Sequence, residues 1–163
     1  MAVLSAVSAR PLRAPCVEMK YCNTFRPSRK LAVMGLKLLQ KAGITPAVVT
    51  GRDSKPLRLR LLALGITHAR FGTEDKGPAA LEILQELSLE WRQAAAMGDD
   101  WPDLAMMRRC AFACAPANAH AEVRSRAHHV TRAFGGAGAV RELCDLLLMA
   151  SGHYSALLRG SLG

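Results

Sequence analysis

Three carboxylates follow a short apolar run, at a spacing that could bind a metal ion. The run, residues 94–97, fits a buried strand of a parallel sheet and is too short for a helix. Gly98 then turns the chain, and Pro102 suits the first turn of a helix. The three acids around this turn are Asp99, Asp100 and Asp103. They are therefore predicted to lie where a strand ends and a helix begins.

Two interpretations of these acids remain open from their spacing. In open α/β sheets, ligands bind outside the carboxyl ends of the strands. Three acids this close repel one another unless a cation or a basic group offsets them, and hard oxygen ligands suit Mg²⁺. The alternative is a solvated turn with helix-capping acids, because Asp is common at such positions.

A second candidate site follows another predicted strand, over residues 44–49. Thr50, Gly51 and Arg52 come directly after it. A hydroxyl and backbone N–H groups at a strand-to-helix turn make a good phosphate seat, and a guanidinium adds a planar, bidentate anion clamp. The alternative is an ordinary turn.

Two further basic residues have the same double interpretation. Lys76 lies just before a predicted helix, where it is either a solvated surface lysine or a point charge that steadies both a phosphate and a carboxylate. Arg60 is ambiguous in the same way.

Short apolar runs alternate with amphipathic segments around these residues. The predicted strands cover residues 44–49, 67–71, 94–97, 110–115 and 129–131. The predicted helices lie within residues 35–43, 57–64, 81–87, 102–109, 119–126 and 140–149, with Gly43 and Gly65 closing the first two. This alternation predicts an α/β fold: a doubly wound, mainly parallel sheet with helices on both faces and right-handed connections.

The composition limits the class of protein. A chain of 163 residues is expected to form one domain with a real core. The sequence has no run of about 18 apolar residues, so no membrane span is predicted. The 5 cysteines have no zinc-finger spacing. We expect reduced thiols of a cytoplasmic protein, three of them in the core.

The net charge of +9 belongs to one part of the chain. Residues 1–60 hold 12 Lys and Arg against Glu18 and Asp53, whereas residues 61–163 hold 10 against 11 acids. No aromatic platform or known binding motif accompanies the basic part, so nucleic acid is not a predicted partner. Residues 1–34 form an atypical basic segment without a clear period, and its first 15 residues have the composition of a transit peptide.

The order of a strand-end Thr, a later Lys and a still later GDD…D motif resembles the haloacid dehalogenase superfamily of phosphatases. The stretches AGITPAVVTGR, LGITHARFG, MGDDWPD and VTRAFGGAGAVRELCDLLL are similar to its 3-deoxy-D-manno-octulosonate 8-phosphate phosphatase family, over residues 35–152. Sialic-acid-type 9-phosphate phosphatases and the C-terminal domain of acylneuraminate cytidylyltransferases are related. The resemblance implies a Rossmann-type domain without a cap over residues 35–163.

The resemblance also implies an activity and a set of roles. The activity is Mg²⁺-dependent hydrolysis of a phosphorylated sugar acid during lipopolysaccharide sugar synthesis. Thr50 would hold a phosphoryl oxygen, and Lys76 would stabilise the phosphoryl group. Asp99 would bind Mg²⁺, with Asp100 and Asp103 supporting its water shell. The substrate contacts implied are Lys37, Gly51, Arg52, Arg60 and Lys76.

The match breaks at the residues that start the family's reaction. The family attacks phosphate with the first Asp of a DxDG motif and uses the second as acid and base, but this sequence has no Asp before Asp53. The spacing puts the two positions near Ala6 and Ser8, which cannot replace them. The alternative function is therefore a catalytically inactive protein that binds a phosphosugar or a partner subunit. The family's homotetramer is expected to be weakened, because the hairpin that builds it lies in the same segment.

A reading-frame error or a mispredicted gene start would explain why residues 1–34 alone depart from the family. We predict that the DNA upstream of the Gly35 codon encodes DVDGV in one of its other two frames. Translating both frames tests this prediction. Finding no such motif in either frame would favour a true pseudoenzyme.

Overall fold

The computed structural model describes residues 28–162, with side chains from residue 30 onward. In this part of the chain, helices and strands alternate as the sequence predicts. Their order is α1 (Ser28–Lys41), β1 (Ala47–Thr50), α2 (Lys55–Ala63), β2 (His68–Phe71), α3 (Lys76–Glu86), β3 (Ala95–Met97), α4 (Trp101–Met107), β4 (Phe112–Ala115), α5 (Ala121–Arg126), β5 (His129–Val130), α6 (Ala139–Ala150) and α7 (Tyr154–Arg159). One 3-10 turn, Trp91–Gln93, precedes β3.

All strand pairs in the described residues are parallel. β1 pairs with β2, and Thr50 at the end of β1 lies opposite Phe71. β3, β4 and β5 form a second group in that order, with Met97 opposite Cys114 and Cys114 opposite His129. The carboxyl ends of the strands within each group therefore lie at one edge; Thr50 ends β1 and Asp99 follows β3 at these ends.

The two groups of strands share one core on each face. Val48 of β1 packs in the same cluster as Ala95 and Met97 of β3, together with residues of α1, α2 and α6. Val49 of β1 and Ala96 of β3 belong to the other cluster, which includes residues of α3 and α4. Because successive residues of a strand point to opposite faces, this sorting confirms the predicted doubly wound layer with helices on both faces.

Helices α1 and α6 pack closely because a glycine lies where they meet. A Cβ on Gly35 would lie 3.0 Å from both Cβ and Sγ of Cys144, and 3.1 Å from Cδ of Arg141. Cys144 is fully buried, and Cys110 and Cys114 are buried as well. The prediction of three cysteines in the core is thus confirmed. Burial raises the pKa of Cys110 and of Cys114 to about 12, so both are neutral thiols.

Two helices begin well before the predicted positions, and one helix was not expected. α1 begins at Ser28 rather than at Gly35, so the predicted boundary after residue 34 falls inside a helix. The polar start of α1 hides it from a search for apolar periodicity. α3 begins at Lys76 because the carboxylate of Asp75 accepts a hydrogen bond from the Gly77 N–H (3.3 Å). α7 was not predicted.

Other expectations concern helix ends and the beginning of the chain. Gly43 and Gly65 follow α1 and α2 with φ of +74° and +67°, as predicted for glycines that end helices. The two positions predicted near Ala6 and Ser8 lie outside the described residues. None of the helices in residues 28–162 has the length and hydropathy needed to cross a membrane.

We predict that Gly35→Val destabilises the fold by about 1–3 kcal/mol, because the new side chain must displace Cys144 or push α1 away from α6. Urea unfolding measures the loss. Lys37→Val is the matched control, since Lys37 lies on the exposed face of the same helix. Propensity alone would favour valine over glycine in a helix, so a loss in Gly35→Val no larger than that in Lys37→Val would contradict the close approach as the reason for the glycine.

Candidate active site

Thr50 ends β1 with its hydroxyl buried at the carboxyl edge of the sheet. The residue is 5% exposed, and its Oγ1 accepts a hydrogen bond from the backbone N–H of Arg52 (3.1 Å). Within the described part of the chain, no acceptor lies within hydrogen-bond distance for the hydroxyl hydrogen. That hydrogen is therefore available to an oxygen of a ligand.

A buried ion pair joins the start of α3 to α4. Nζ of Lys76 donates to Oδ1 of Asp103 at 2.5 Å, and the two residues are 5% and 0% exposed. Charges this deeply buried are stable only when they are paired and hydrogen-bonded. The open question about Lys76 is thus answered in part: it is not a solvated surface lysine.

The second oxygen of Asp103 fixes the loop that carries the other two acids. Oδ2 accepts from the backbone N–H of Asp99 (2.8 Å) and of Asp100 (3.0 Å). Gly98 permits this approach, because a Cβ there would lie 2.3 Å from Cβ of Asp103. Both oxygens of Asp103 are therefore engaged by protein donors, and its predicted support of a metal's water shell stays a prediction.

Opposing effects act on the pKa of Asp103. Burial alone would raise the pKa of its carboxyl group, but positive charge, to which the ammonium of Lys76 contributes, outweighs this effect, and the pKa lies below its usual value of 3.8. Asp103 is consequently ionised at neutral pH and holds Lys76 by charge as well as by a hydrogen bond.

A chain of backbone contacts connects Thr50 to this ion pair. The N–H of Thr73 donates to the carbonyl of Thr50 (3.2 Å), and the hydroxyl of Thr73 donates to the carbonyl of Asp75 (3.1 Å). Asp75 caps the helix that begins with Lys76. Thr50, Lys76 and Asp99 are thus linked by a continuous series of contacts that runs through Thr73, Asp75 and Asp103.

The three acids have different surroundings. Asp100 caps α4, since its Oδ1 accepts from the backbone N–H of Trp101 (2.8 Å). Asp103 pairs with Lys76, and Asp99 is half-buried. Across the described residues, no three His, Cys, Asp or Glu side chains are grouped for metal binding. The role of Asp99 as a metal ligand therefore stays a prediction.

The predicted substrate contacts lie at different distances from this series of contacts. Gly51 and Arg52 are exposed and follow Thr50 directly. Arg60 is half-buried in α2, and its Nε is buried without a hydrogen-bond partner. Lys37 lies on the exposed face of α1, and no contact between described residues joins it to the others. Its role remains a prediction.

Sequence reasoning missed the contacts that hold the acid-bearing loop from its other side. The backbone N–H of His120 donates to the carbonyl of Asp99 (2.9 Å), and the indole Nε1 of Trp101 donates to Nδ1 of His120 (3.1 Å). The only indication of these contacts in the sequence was a tryptophan directly after Asp99 and Asp100. The histidine gave none, because it lies about 20 residues away in the sequence.

Further contacts connect the next two loops along the same edge. The side-chain oxygen of Asn118 accepts from the N–H of Gly135 (2.6 Å). Glu142, in the GGxGAVRE motif, accepts from the backbone N–H groups of Arg132 (3.0 Å) and Ala133 (3.1 Å). Its burial would raise its pKa, but these donors and His129 lower it. This glutamate holds the loop after β5, which explains its place in the motif.

Comparison with known proteins gives the family. A model described as haloacid dehalogenase-like hydrolase matches residues 65–141. The chain is 43% identical to the 3-deoxy-D-manno-octulosonate 8-phosphate phosphatase of Yersinia pestis over 116 residues, which are 71% of this chain and 62% of that protein. A solved structure of the Yersinia pestis phosphatase has a TM-score of 0.80 and 33% identity, covering 89% of this chain and 85% of that one. The chain belongs to the 3-deoxy-D-manno-octulosonate 8-phosphate phosphatase family.

A second structure of this phosphatase family holds ligands. The protein from Moraxella catarrhalis, solved with a magnesium ion, a phosphate ion and a KDO molecule, has a TM-score of 0.83 and 29% identity, covering 93% of this chain and 94% of that one. The chain spans a little over three fifths of the length of the curated phosphatase that it matches.

We predict that Asp103→Asn destabilises the fold by about 3–5 kcal/mol at neutral pH, because it leaves the ammonium of Lys76 buried without its anion. The folded pKa of Asp103 is depressed, so its stabilising effect is present above the usual value of 3.8 and is lost as the pH falls through the folded pKa. The difference between the native chain and the variant should therefore shrink in acid.

Urea unfolding at several pH values from 7 to about 3 measures this difference. Asp53→Asn is the matched control, since Asp53 forms an exposed pair with Arg58 (2.7 Å) and should matter little. A pH-independent penalty for Asp103→Asn would contradict the role given to its charge.

Proposed function

We propose that this chain contributes to a Mg²⁺-dependent phosphomonoester hydrolase that acts on 3-deoxy-D-manno-octulosonate (KDO) 8-phosphate. The observation that carries the proposal is the series of contacts that links Thr50, Lys76 and Asp99 at the carboxyl ends of the strands. The names of the relatives, and the magnesium, phosphate and KDO in the Moraxella catarrhalis protein, support it.

The phosphate seat follows from charge and donors. Lys76 is the first residue of α3, so its ammonium adds to the partial positive charge of a helix N-terminus. Asp103 offsets one positive charge and keeps the ammonium in place. Thr50 adds a hydroxyl donor at the end of the neighbouring strand. A phosphate monoester, with up to two negative charges, complements this arrangement.

The metal would be held through Asp99. Its carboxylate is a hard oxygen ligand, which suits Mg²⁺, and the loop that carries it is fixed by Asp103. When bound, Mg²⁺ would offset the charge of the phosphate group. One carboxylate is a small contribution to a magnesium site, so the described residues alone should bind the ion weakly.

The sugar acid adds a second anion, its carboxylate. Arg60 is suited to this group, because its buried Nε–H lacks an acceptor and a guanidinium binds a carboxylate through two hydrogen bonds. Arg52, exposed directly after Thr50, is the second candidate. Gly51 and Lys37 are proposed as further substrate contacts.

The missing nucleophile supports the second of the two functions that the sequence leaves open. The sequence has no Asp before Asp53, and Ala6 and Ser8 have no equivalent chemistry. We therefore propose that the chain as written binds the phosphorylated sugar acid, while its turnover is close to background. A cytoplasmic location and a weakened homotetramer belong to the same proposal. A stable tetramer in light scattering would contradict the last point.

We predict that the chain binds KDO 8-phosphate in the presence of Mg²⁺ and that Arg60→Ala weakens binding about tenfold or more, because a charge-assisted hydrogen bond is lost. Calorimetric titration measures the dissociation constants. Arg58→Ala is the matched control: it lies on the same helix, but its guanidinium is already paired with Asp53. Equal weakening in both variants would indicate a general effect of charge.

The same preparation tests turnover through phosphate release. The unmodified chain should be near background. We would restore the acids as Ala6→Asp with Ser8→Asp, and separately build a chimera with a complete DxDG-to-RDG segment ahead of Gly35. The chimera should hydrolyse the substrate and lose activity with Asp99→Ala or Lys76→Ala. Strong activity of the unmodified chain contradicts the proposed inactivity, and a well-folded but inactive chimera contradicts the proposed reaction.

A further inference from the structure

Trp101 exposes a large aromatic ring at the edge where the site lies. It is the first residue of α4, two positions after Asp99, and it is 62% exposed. Single exposed apolar side chains are common, so exposure alone does not indicate a function. What singles out this ring is its place in the segment that carries Asp99 and Asp100, at the carboxyl end of β3.

The ring is held in one place. Its Nε1–H donates to Nδ1 of His120 (3.1 Å), and the two rings meet edge to face with centroids 5.4 Å apart and an interplanar angle of 82°. His120 in turn binds the carbonyl of Asp99 (2.9 Å). Trp101 therefore lies within one short chain of contacts from the proposed metal ligand.

The polar group of the indole is already used. Tryptophan has a single N–H donor and no acceptor, and here His120 takes the donor. The exposed part of the ring can therefore offer only apolar and π contacts, which a phosphate group does not favour. The carbon chain of a sugar acid, with its C–H groups, does fit such a surface.

We propose that Trp101 is a specificity-determining residue that packs against the carbon chain of the phosphorylated sugar acid, beyond the phosphate. This inference rests on the proposed function of the same site. It assigns the anionic groups to Thr50, Lys76 and Arg60, and the apolar surface of the substrate to the ring.

Trp91 provides a matched control. It lies in the 3-10 turn ahead of β3, at the opposite end of that strand from Asp99, and is half-buried beneath the guanidinium of Arg109 (5.7 Å). The chain contains only these two tryptophans. Trp91→Phe thus leaves Trp101 as the single tryptophan fluorophore of the full chain.

The experiment compares KDO 8-phosphate with inorganic phosphate, both with Mg²⁺. In the Trp91→Phe chain, KDO 8-phosphate should change the emission of Trp101, and inorganic phosphate should not. By calorimetry, Trp101→Ala should weaken binding of KDO 8-phosphate about five- to tenfold and leave that of inorganic phosphate unchanged. Trp101→Phe should keep most of the affinity, since it retains a ring.

The alternative is that the indole only holds the segment after β3 against the loop after β4, through its N–H hydrogen bond to His120. In that case Trp101→Phe would weaken binding as much as Trp101→Ala, or Trp101→Ala would weaken both compounds equally. Either result overturns the inference. If Trp101→Ala binds KDO 8-phosphate as tightly as the unmodified chain, the role of Trp101 is wrong but the proposed function stands. If the unmodified chain does not bind KDO 8-phosphate, the proposed function is wrong as well.

Discussion

The buried ion pair between Lys76 and Asp103 is the contact on which the rest of this site depends. It joins the first residue of α3 to the first turn of α4, and the same carboxylate holds the backbone that carries Asp99. For stability alone, apolar side chains of the same volume would often serve as well as a buried ion pair. The phosphate site proposed above, however, needs the ammonium, and the ammonium needs a fixed anion. Under that proposal, the pair serves ligand binding at some cost in stability.

Hydrogen bonds between neighbouring loops also hold the carboxyl edge of the sheet in place. Asp99 is held by His120, Gly135 by Asn118, and the loop after β5 by Glu142. Each contact uses a backbone group on at least one side, so the loops are held in position and not merely attracted by charge. Binding residues on loops need this kind of support, because a loop by itself has neither the packing nor the hydrogen bonds of a helix or strand.

The periodicity of apolar residues and the glycines that end helices were enough to predict the alternating fold. Gly43 and Gly65 end helices because few other residues adopt positive φ, a local property that a sequence displays. The acid pattern also predicted a candidate site at the carboxyl end of β3. What the pattern could not give was the task of each acid: the buried Asp103 is paired with Lys76, which lies 27 residues earlier in the chain, whereas Asp100 caps α4. The contact of Trp101 with His120 is hidden for the same reason.

The labelling rates of the three buried thiols can report separately on the two faces of the sheet. Only a thiolate reacts quickly with an alkylating reagent, and burial keeps the pKa of Cys110 and Cys114 near 12 and raises that of Cys144. Cys144 belongs to the core beneath α1 and α6, whereas Cys110 belongs to the core beneath α3 and α4. In a chain with Cys16 and Cys22 replaced by serine, the labelling rate of each would report how often its own face opens.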